Sequence, residues 1–176
     1  DPDTGEPGCG EIYCGEPEVA VGTGLNGYEA LVDGDPVPIW YGTQGGYHID
    51  ITTEMNNLCP IVFLRPAIYI DPGDGGDLIE IFAQNRHVQA LRVEPEVSPR
   101  QQFWGIRGFV PCVHWPEDPD HPDLECPDGR GSAGAITDFE VVLRMEAWDH
   151  NEGPDGAFPY RYGMHERRVQ PFCCGE

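Results

Sequence analysis

Hydrophobic and polar residues alternate with a period of two in two long segments of the chain. In the first, hydrophobic residues at positions 47, 49 and 51 alternate with His48, Asp50 and Thr52. In the second, residues 139–148, hydrophobic residues occupy every odd-numbered position. A period of two is typical of a β-strand with one face on a core and the other in water. We therefore expect two strands here, with His48, Asp50 and Thr52 facing solvent.

Shorter segments of the same kind follow one another along the chain, separated by turn-forming Gly, Pro, Asn and Asp residues. They are residues 19–22, 37–41, 61–65, 67–70, 78–83, 87–94, 103–113 and 160–169. About eight short strands with turns at this spacing predict an all-β fold, an antiparallel β-sandwich. The lack of a clear helical segment counts against architectures that alternate strands with helices.

Glycine and proline support the all-β prediction and divide the chain. There are 23 Gly and 18 Pro, and both residues are unfavourable inside a helix. Residues 1–17 form an acidic, Pro/Gly-rich N-terminal arm, and residues 18–176 form one β-sandwich domain with a long loop at 111–130. We expect the arm to be ordered only where a disulfide bond or a neighbouring chain holds it.

Seven cysteines indicate an oxidised, exported protein that is stapled by disulfide bonds. They are Cys9, Cys14, Cys59, Cys112, Cys126, Cys173 and Cys174. Two closures fit the sequence: Cys112 with Cys126 across the long loop, and Cys9 or Cys14 with a distant strand. The adjacent Cys173 and Cys174 are expected to pair with two different partners, one in the core and one in the arm or in a second subunit. The number of cysteines is odd, and the connectivity stays open.

The charge of the chain limits its partners. Acidic residues number 31 and basic residues 10, all of them Arg, so the net charge is −21. Such a charge repels nucleic acid and anionic lipid, and it suits a divalent cation or a basic protein. The sequence starts at Asp1 without a signal peptide or a long apolar run, which is typical of a mature exported product. Membrane attachment would then need a lipid anchor outside this sequence.

A glycine-rich loop at residues 71–77 is one candidate metal site. Asp71, Asp74 and Asp77 lie on it, and calcium prefers carboxylate and carbonyl oxygens on a loop that wraps around the ion. The alternative is an ordinary turn, since Asp and Gly are also common turn residues. Calcium is the one cofactor that the sequence suggests.

The densest group of potential ligands lies inside the long loop. Its members are His114, Asp118, Asp120, His121 and Asp123. The two histidines with a carboxylate suit a transition metal, whereas the aspartates suit calcium. The alternative is a solvated acidic loop stiffened by its prolines. His48 is a further candidate ligand at a sheet edge, and its alternative is a hairpin histidine with a single hydrogen bond.

Catalytic motifs are absent from the sequence. There is no nucleophile elbow, phosphate-binding loop or HExxH zinc motif, and the serines are Ser98 and Ser132 alone. The sequence therefore predicts a protein that is not an enzyme.

Two neighbouring stretches carry a resemblance to a known group of proteins. Residues 31–39, LVDGDPVPI, and residues 42–48, GTQGGYH, resemble a pattern in uncharacterised secreted proteins and lipoproteins of predatory and marine Gram-negative bacteria. The resemblance implies an immunoglobulin-like β-sandwich and a location in the periplasm, at the outer-membrane surface or outside the cell.

These observations predict an exported structural or binding component of a cell-surface or extracellular assembly. We expect it to join a homo-oligomer or a larger assembly of proteins through its N-terminal arm and its sheet edges. The alternative is a periplasmic or extracellular metal-binding protein that uses the long loop.

Overall fold

The chain is built from β-strands joined by turns and loops in a computed structural model. The structure describes residues 15–42, 47–59, 61–73, 75–92, 100–110, 136–137, 139–149 and 161–173. The strands are, in chain order, β1 (Glu18–Thr23), β2 (Glu29–Ala30), β3 (Pro36–Tyr41), β4 (Tyr47–Asn56), β5 (Ile61–Asp71), β6 (Ile79–Ala83), β7 (Arg86–Gln89), β8 (Leu91–Arg92), β9 (Gln101–Val110), β10 (Glu140–Asp149) and β11 (Arg161–Cys173). No α-helix occurs within these ranges, and the all-β prediction is confirmed.

The described strands number eleven, more than the sequence pattern predicts. One reason is that β2 and β8 have two residues each, which is too short for a periodicity to be recognised. The predicted strand at residues 87–94 corresponds to β7 and β8, which together end at Arg92.

Pro66 does not interrupt β5, although the pattern predicts separate strands on either side of it. Residues 61–64 pair with β7 and residues 67–70 pair with β6. The Pro66 carbonyl accepts a hydrogen bond from the backbone N–H of Gln84, which lies between β6 and β7. The N and O atoms of one strand residue point to the same side. The N–H that proline lacks would therefore point to the junction where the partner of β5 changes, and its absence costs little there.

The strands form two layers, which we name the first and the second layer. In the first layer, β9 runs along one edge of β4, while β1 and β3 share its other edge. Strand β2 extends β1, and β8 extends β9. In the second layer, β10 lies between β5 and β11, and β6 and β7 share the far edge of β5. A parallel pair of β3 and β11 connects the layers, whereas the other described pairs are antiparallel.

Two glycines show that the layers pack face to face. A Cβ atom on Gly108 of β9 would lie 2.6 Å from Cδ1 of Ile68 in β5. A Cβ atom on Gly163 of β11 would lie 2.6 Å from Cγ2 of Val19 in β1. Both contacts cross from one layer to the other, and close packing of this kind leaves no room for a larger side chain. The fold is therefore β-sandwich-like, with its core between the layers.

The predicted alternation in β10 is confirmed. The odd-numbered side chains at 141–147 are fully buried in the core, as expected for the inward face of a strand. On the outward face, Val142 is also buried, because it packs against Ala67 and Tyr69 of the neighbouring β5.

The prediction that His48, Asp50 and Thr52 face solvent is wrong. Their exposed fractions are 6 %, 5 % and 0 %. Thr23, at the end of β1, lies beside this part of β4, where Thr52 Oγ1 donates to Thr23 O at 2.7 Å and Thr23 Oγ1 donates to Asp50 O at 3.0 Å. Strand β4 is a central strand with neighbours along both edges, and its polar positions 48, 50 and 52 are buried as well as its apolar ones.

Several predicted features lie outside the described residues. They include the arm up to residue 14 and the long loop at 111–130. Cys59 is buried and disulfide-bonded, and the other cysteine side chains lie outside the described part, so the predicted pairings stay predictions. Within the described ranges there is no candidate for a membrane-spanning helix.

Candidate binding groove

The outer face of the first layer carries a row of side chains across three strands. His48 in β4 lies opposite Trp40 in β3 and opposite Phe109 in β9. Trp40 is 37 % exposed and Phe109 is 54 % exposed. Asp50, two residues further along β4, projects to the same face as His48 and lies opposite the exposed Arg107 of β9.

His48 and Asp50 form a buried pair. His48 Nε2 is 3.7 Å from Asp50 Oδ1, and each side chain is 7 % exposed. That distance is too long for a direct hydrogen bond. Among the described residues, His48 Nδ1 and Asp50 Oδ2 have no hydrogen-bond partner. Because buried polar atoms are nearly always hydrogen-bonded, two such atoms in one pair mark a position that is not optimised for stability.

Burial shifts the pKa of both groups towards the neutral form. It raises the pKa of Asp50 against the attraction of His48 and Arg107. It lowers the pKa of His48 against the attraction of Asp50, and the charge of Arg107 lowers that pKa further. Desolvation thus outweighs the attraction between the two groups. The pair lacks the close charged contact that would offset the cost of burial.

An open groove of about 590 Å³ lies beside this pair. Its lining residues are Thr23, Gly24, Leu25, Asn26, Gly27, Tyr28, Glu29, Pro36, Pro38, Trp40 and Asp50. The loop between β1 and β2, residues 24–28, forms one wall, and the outer face of β3 forms the other. Asp50 is the buried acid between the walls, and Glu29 is an exposed acid at the rim.

Two glycines position the loop wall. Gly24 has a φ of 120°, a conformation that glycine adopts without strain. A Cβ atom on Gly22 would lie 2.5 Å from a ring carbon of Tyr28, so the Tyr28 ring lies directly over β1. Burial raises the pKa of the Tyr28 hydroxyl, which keeps this aromatic wall uncharged.

The β3 wall consists of Pro36, Pro38 and Trp40. They alternate with Val37 and Ile39, which are buried in the core, so all three project to the outer face. These three residues are not among the predicted site residues, although their alternation with buried residues is a signal that the sequence carries. The walls are therefore aromatic and apolar, and no basic side chain occurs among the lining residues that the structure describes. Such a site attracts a cation and repels an anion.

The predicted calcium loop at 71–77 is only partly described. Asp71 Oδ2 forms an ion pair with Arg168, and Asp71 Oδ1 accepts a hydrogen bond from Gly73 N at 2.8 Å. The Arg168 guanidinium and the Gly73 N–H hold the pKa of Asp71 below its ordinary value. Asp77 is exposed, and Asp74 lies outside the described residues.

The remaining predicted metal ligands are not described. They are His114, Asp118, Asp120, His121 and Asp123. Within the ranges that the structure covers, no three His, Cys, Asp or Glu side chains come together as a metal site. His48 meets one carboxylate, that of Asp50, at the distance given above. The structure therefore pairs His48 with Asp50 beside the groove. The metal predictions for the loops at 71–77 and 111–130 stay predictions.

Comparison with known proteins gives no relative from which a function could be carried over. No protein-family model matches the chain, and no curated protein matches it significantly.

Proposed function

We propose that the protein is an exported, non-enzymatic binding component of a cell-surface or extracellular assembly, and that it binds through the groove on its first layer. The observation that carries the proposal is the Asp50 carboxylate, which is buried and has an unpartnered oxygen at the groove. Natural proteins tolerate such departures from a satisfied interior mainly where function requires them.

The hydroxyl groups near the pair support binding rather than catalysis. Thr52 Oγ1 donates to Thr23 O at 2.7 Å, and Thr53 Oγ1 donates to Ala20 O at 3.1 Å. Both hydroxyls are thus committed to the backbone of β1. Neither is hydrogen-bonded to His48, as an activated nucleophile would be.

Strand β8 pairs only with Gln101 and Gln102, so residues 103–110 of β9 have no strand partner on that edge among the described residues. We place the contact with a partner at the groove because the groove carries the buried Asp50 carboxylate, whereas the sequence pattern placed it at the sheet edges.

Export is supported by the disulfide bond at Cys59. Cys59 follows β4 by a short turn, and Asn57 in that turn donates from Nδ2 to Glu16 O at 2.9 Å. The described end of the arm therefore lies beside the turn that carries Cys59. This contact supports a disulfide bond between Cys59 and Cys9 or Cys14, which would be one form of the predicted pairing of Cys9 or Cys14 with a distant strand. The face-to-face layers likewise support an immunoglobulin-like sandwich, which is part of the proposal.

Site-specific photo-crosslinking in the source cells tests the function. A photoreactive residue at Leu25, in the groove wall and 59 % exposed, is compared with one at Val32, which is 62 % exposed and does not line the groove. We expect a protein adduct at the cell surface or in the medium from position 25 and none from position 32. Equal labelling from both positions, or none from either, would contradict the proposal.

A further inference from the structure

The Asp50 carboxylate is buried at the groove and has no close cationic partner among the described residues. Its Oδ2 has no hydrogen-bond partner among the described residues, and its Oδ1 meets His48 at 3.7 Å. Arg107 lies opposite it in β9, but Arg107 is exposed and forms no described ion pair with it. A buried charge without a close partner is costly, and a cation that enters the groove would remove that cost.

The walls of the groove suit an organic cation in particular. Trp40 is partly exposed on one side, and Tyr28 lies on the other. Aromatic faces attract ammonium and guanidinium groups, and Pro36 and Pro38 add apolar surface for the methylene groups of a basic side chain. A bare metal ion fits less well, because no third ligand stands beside His48 and Asp50 in the described part of the chain.

The overall charge indicates where the cation comes from. A chain with a net charge of −21 repels a second copy of itself and attracts a basic polypeptide. Arginine fits the groove better than lysine, since its planar guanidinium can stack on an aromatic ring and bind a carboxylate with two parallel hydrogen bonds.

We propose that the groove binds an arginine side chain of a basic protein partner, with Asp50 as its counter-ion and Trp40 and Tyr28 as its aromatic walls. This inference rests on the proposed function and names the chemistry of the partner. It also replaces the homo-oligomer of the sequence-based prediction with a complex of unlike chains.

Calorimetric titration with capped peptides tests the inference. The probe is Gly-Arg-Gly-Arg-Gly, and the control peptide has the neutral isostere citrulline at both arginine positions. We expect the arginine peptide to bind and the citrulline peptide to bind at least about tenfold more weakly, because hydrogen bonds between charged groups are the strong ones. Equal binding of the two peptides would overturn the inference.

Matched variants locate the site. Asp50→Asn removes the proposed counter-ion, and Asp77→Asn removes an exposed acid that does not line the groove. We expect Asp50→Asn to weaken binding of the arginine peptide at least about tenfold. We expect Asp77→Asn to leave the affinity for this peptide unchanged within about twofold. Glu29→Gln, at the exposed rim, provides a second groove variant that does not disturb the interior, and it should weaken binding by about two- to fivefold. If all three variants bind equally well, the attraction is general and the inference is wrong.

Two further outcomes separate this inference from the proposed function. If tetramethylammonium binds as tightly as the arginine peptide, the groove takes a small organic cation and the inference is overturned. If the Leu25 adduct forms while the arginine peptide does not bind, the protein is a groove-binding component whose partner is not recognised through arginine. If the Leu25 adduct does not form and the arginine peptide does not bind, both proposals fail.

Discussion

One buried carboxylate on the outer face of the first layer lacks the arginine partner that carboxylates on the second layer have. On the second layer, Arg65 binds Glu146 at 2.8 Å and Glu80 at 2.7 Å, and Arg144 binds Glu166 at 2.8 Å. On the first layer, Glu54 is likewise paired with Arg100 at 2.6 Å, whereas the buried Asp50 has no arginine partner among the described residues. Both faces consist of β-strands with outward polar side chains, so the strand pattern alone does not distinguish them. The difference between the faces lies at Asp50.

Aromatic side chains complete the network on the second layer. Tyr162 OH donates to Glu146 at 2.8 Å, and the Arg144 guanidinium lies 4.6 Å from the centre of the Tyr69 ring. Phe63 stacks between His87 and Trp148 at ring distances of 4.4 and 6.0 Å. These aromatic and charged side chains are thus already in contact with one another within the protein. On the first layer, Trp40 is partly exposed and the buried Asp50 has an oxygen without a hydrogen-bond partner among the described residues. This contrast is why we assign stability to the second face and propose binding at the first.

Removing a shared arginine should have the largest effect on stability. Arg65→Gln leaves Glu146 and Glu80 without their ion pair, and we expect the free energy of unfolding to fall by about 1–2 kcal/mol, a value reduced by the partial exposure of these groups. The control is Arg107→Gln on the first layer, with an expected change of about 0.5 kcal/mol or less. Chemical denaturation of both variants measures the difference. Equal losses would remove the contrast between the faces.

Neutralising one carboxylate on each face should change stability in opposite directions. Glu146→Gln weakens the hydrogen bonds from Arg65 and Tyr162, and should cost about 1 kcal/mol. Asp50→Asn removes a desolvated charge and should stabilise the protein by about 0.5–1 kcal/mol at pH 7, as is common for residues kept for function. Thermal unfolding of the two variants at equal ionic strength tests this. A clear loss of stability in Asp50→Asn would show that Asp50 is a structural residue.

Much of the fold follows from the strand pattern, whereas the groove depends on contacts between distant residues. The alternation in β10 predicts its buried face correctly, because only one face of that strand meets the core between the layers. The same pattern fails in β4, because the sequence does not show that His48 and Asp50 on its outward face are buried. In the sequence, Pro66 predicts a strand break. The structure has none, because the partner of β5 changes from β7 to β6 at this residue, and such a change is a tertiary feature that the sequence does not show.

The candidate residues divide in the same way. His48 stands out in sequence as a chemically capable residue, but its partner Asp50 becomes significant only when both are found buried. Trp40 and its two prolines carry a recognisable alternation. Tyr28 lies in a turn segment and reaches the groove through the space left by Gly22, which no periodicity predicts.

The pH dependence of stability should show the smaller, final contrast. The pKa of Asp50 is raised by burial, so its contribution to stability is fully present below the ordinary Asp pKa and is lost as pH rises through the folded-state value. Burial also raises the pKa of Glu146, but the hydrogen bonds from Arg65 and Tyr162 outweigh it and leave that pKa lowered. Its contribution is present above the ordinary Glu pKa and is lost as pH falls through the folded-state value.

Unfolding curves between about pH 3 and pH 7 separate the two contributions. Relative to the wild type, Asp50→Asn should gain stability as pH rises, and Glu146→Gln should gain stability as pH falls. His48 and Arg107, which face Asp50, are unchanged in both variants. Parallel pH profiles for the two variants would refute the opposite electrostatic roles.

The pKa of the Asp50 carboxyl group, followed by carbon NMR with and without the arginine peptide, tests the central claim most directly. In the free protein we expect this pKa to lie above the ordinary Asp value, because the buried carboxylate has no close cation. Saturation with the arginine peptide should lower it, and the citrulline peptide should not. A carboxyl group that titrates at its ordinary pKa in the free protein, or whose pKa does not change when the arginine peptide is bound, would contradict the account.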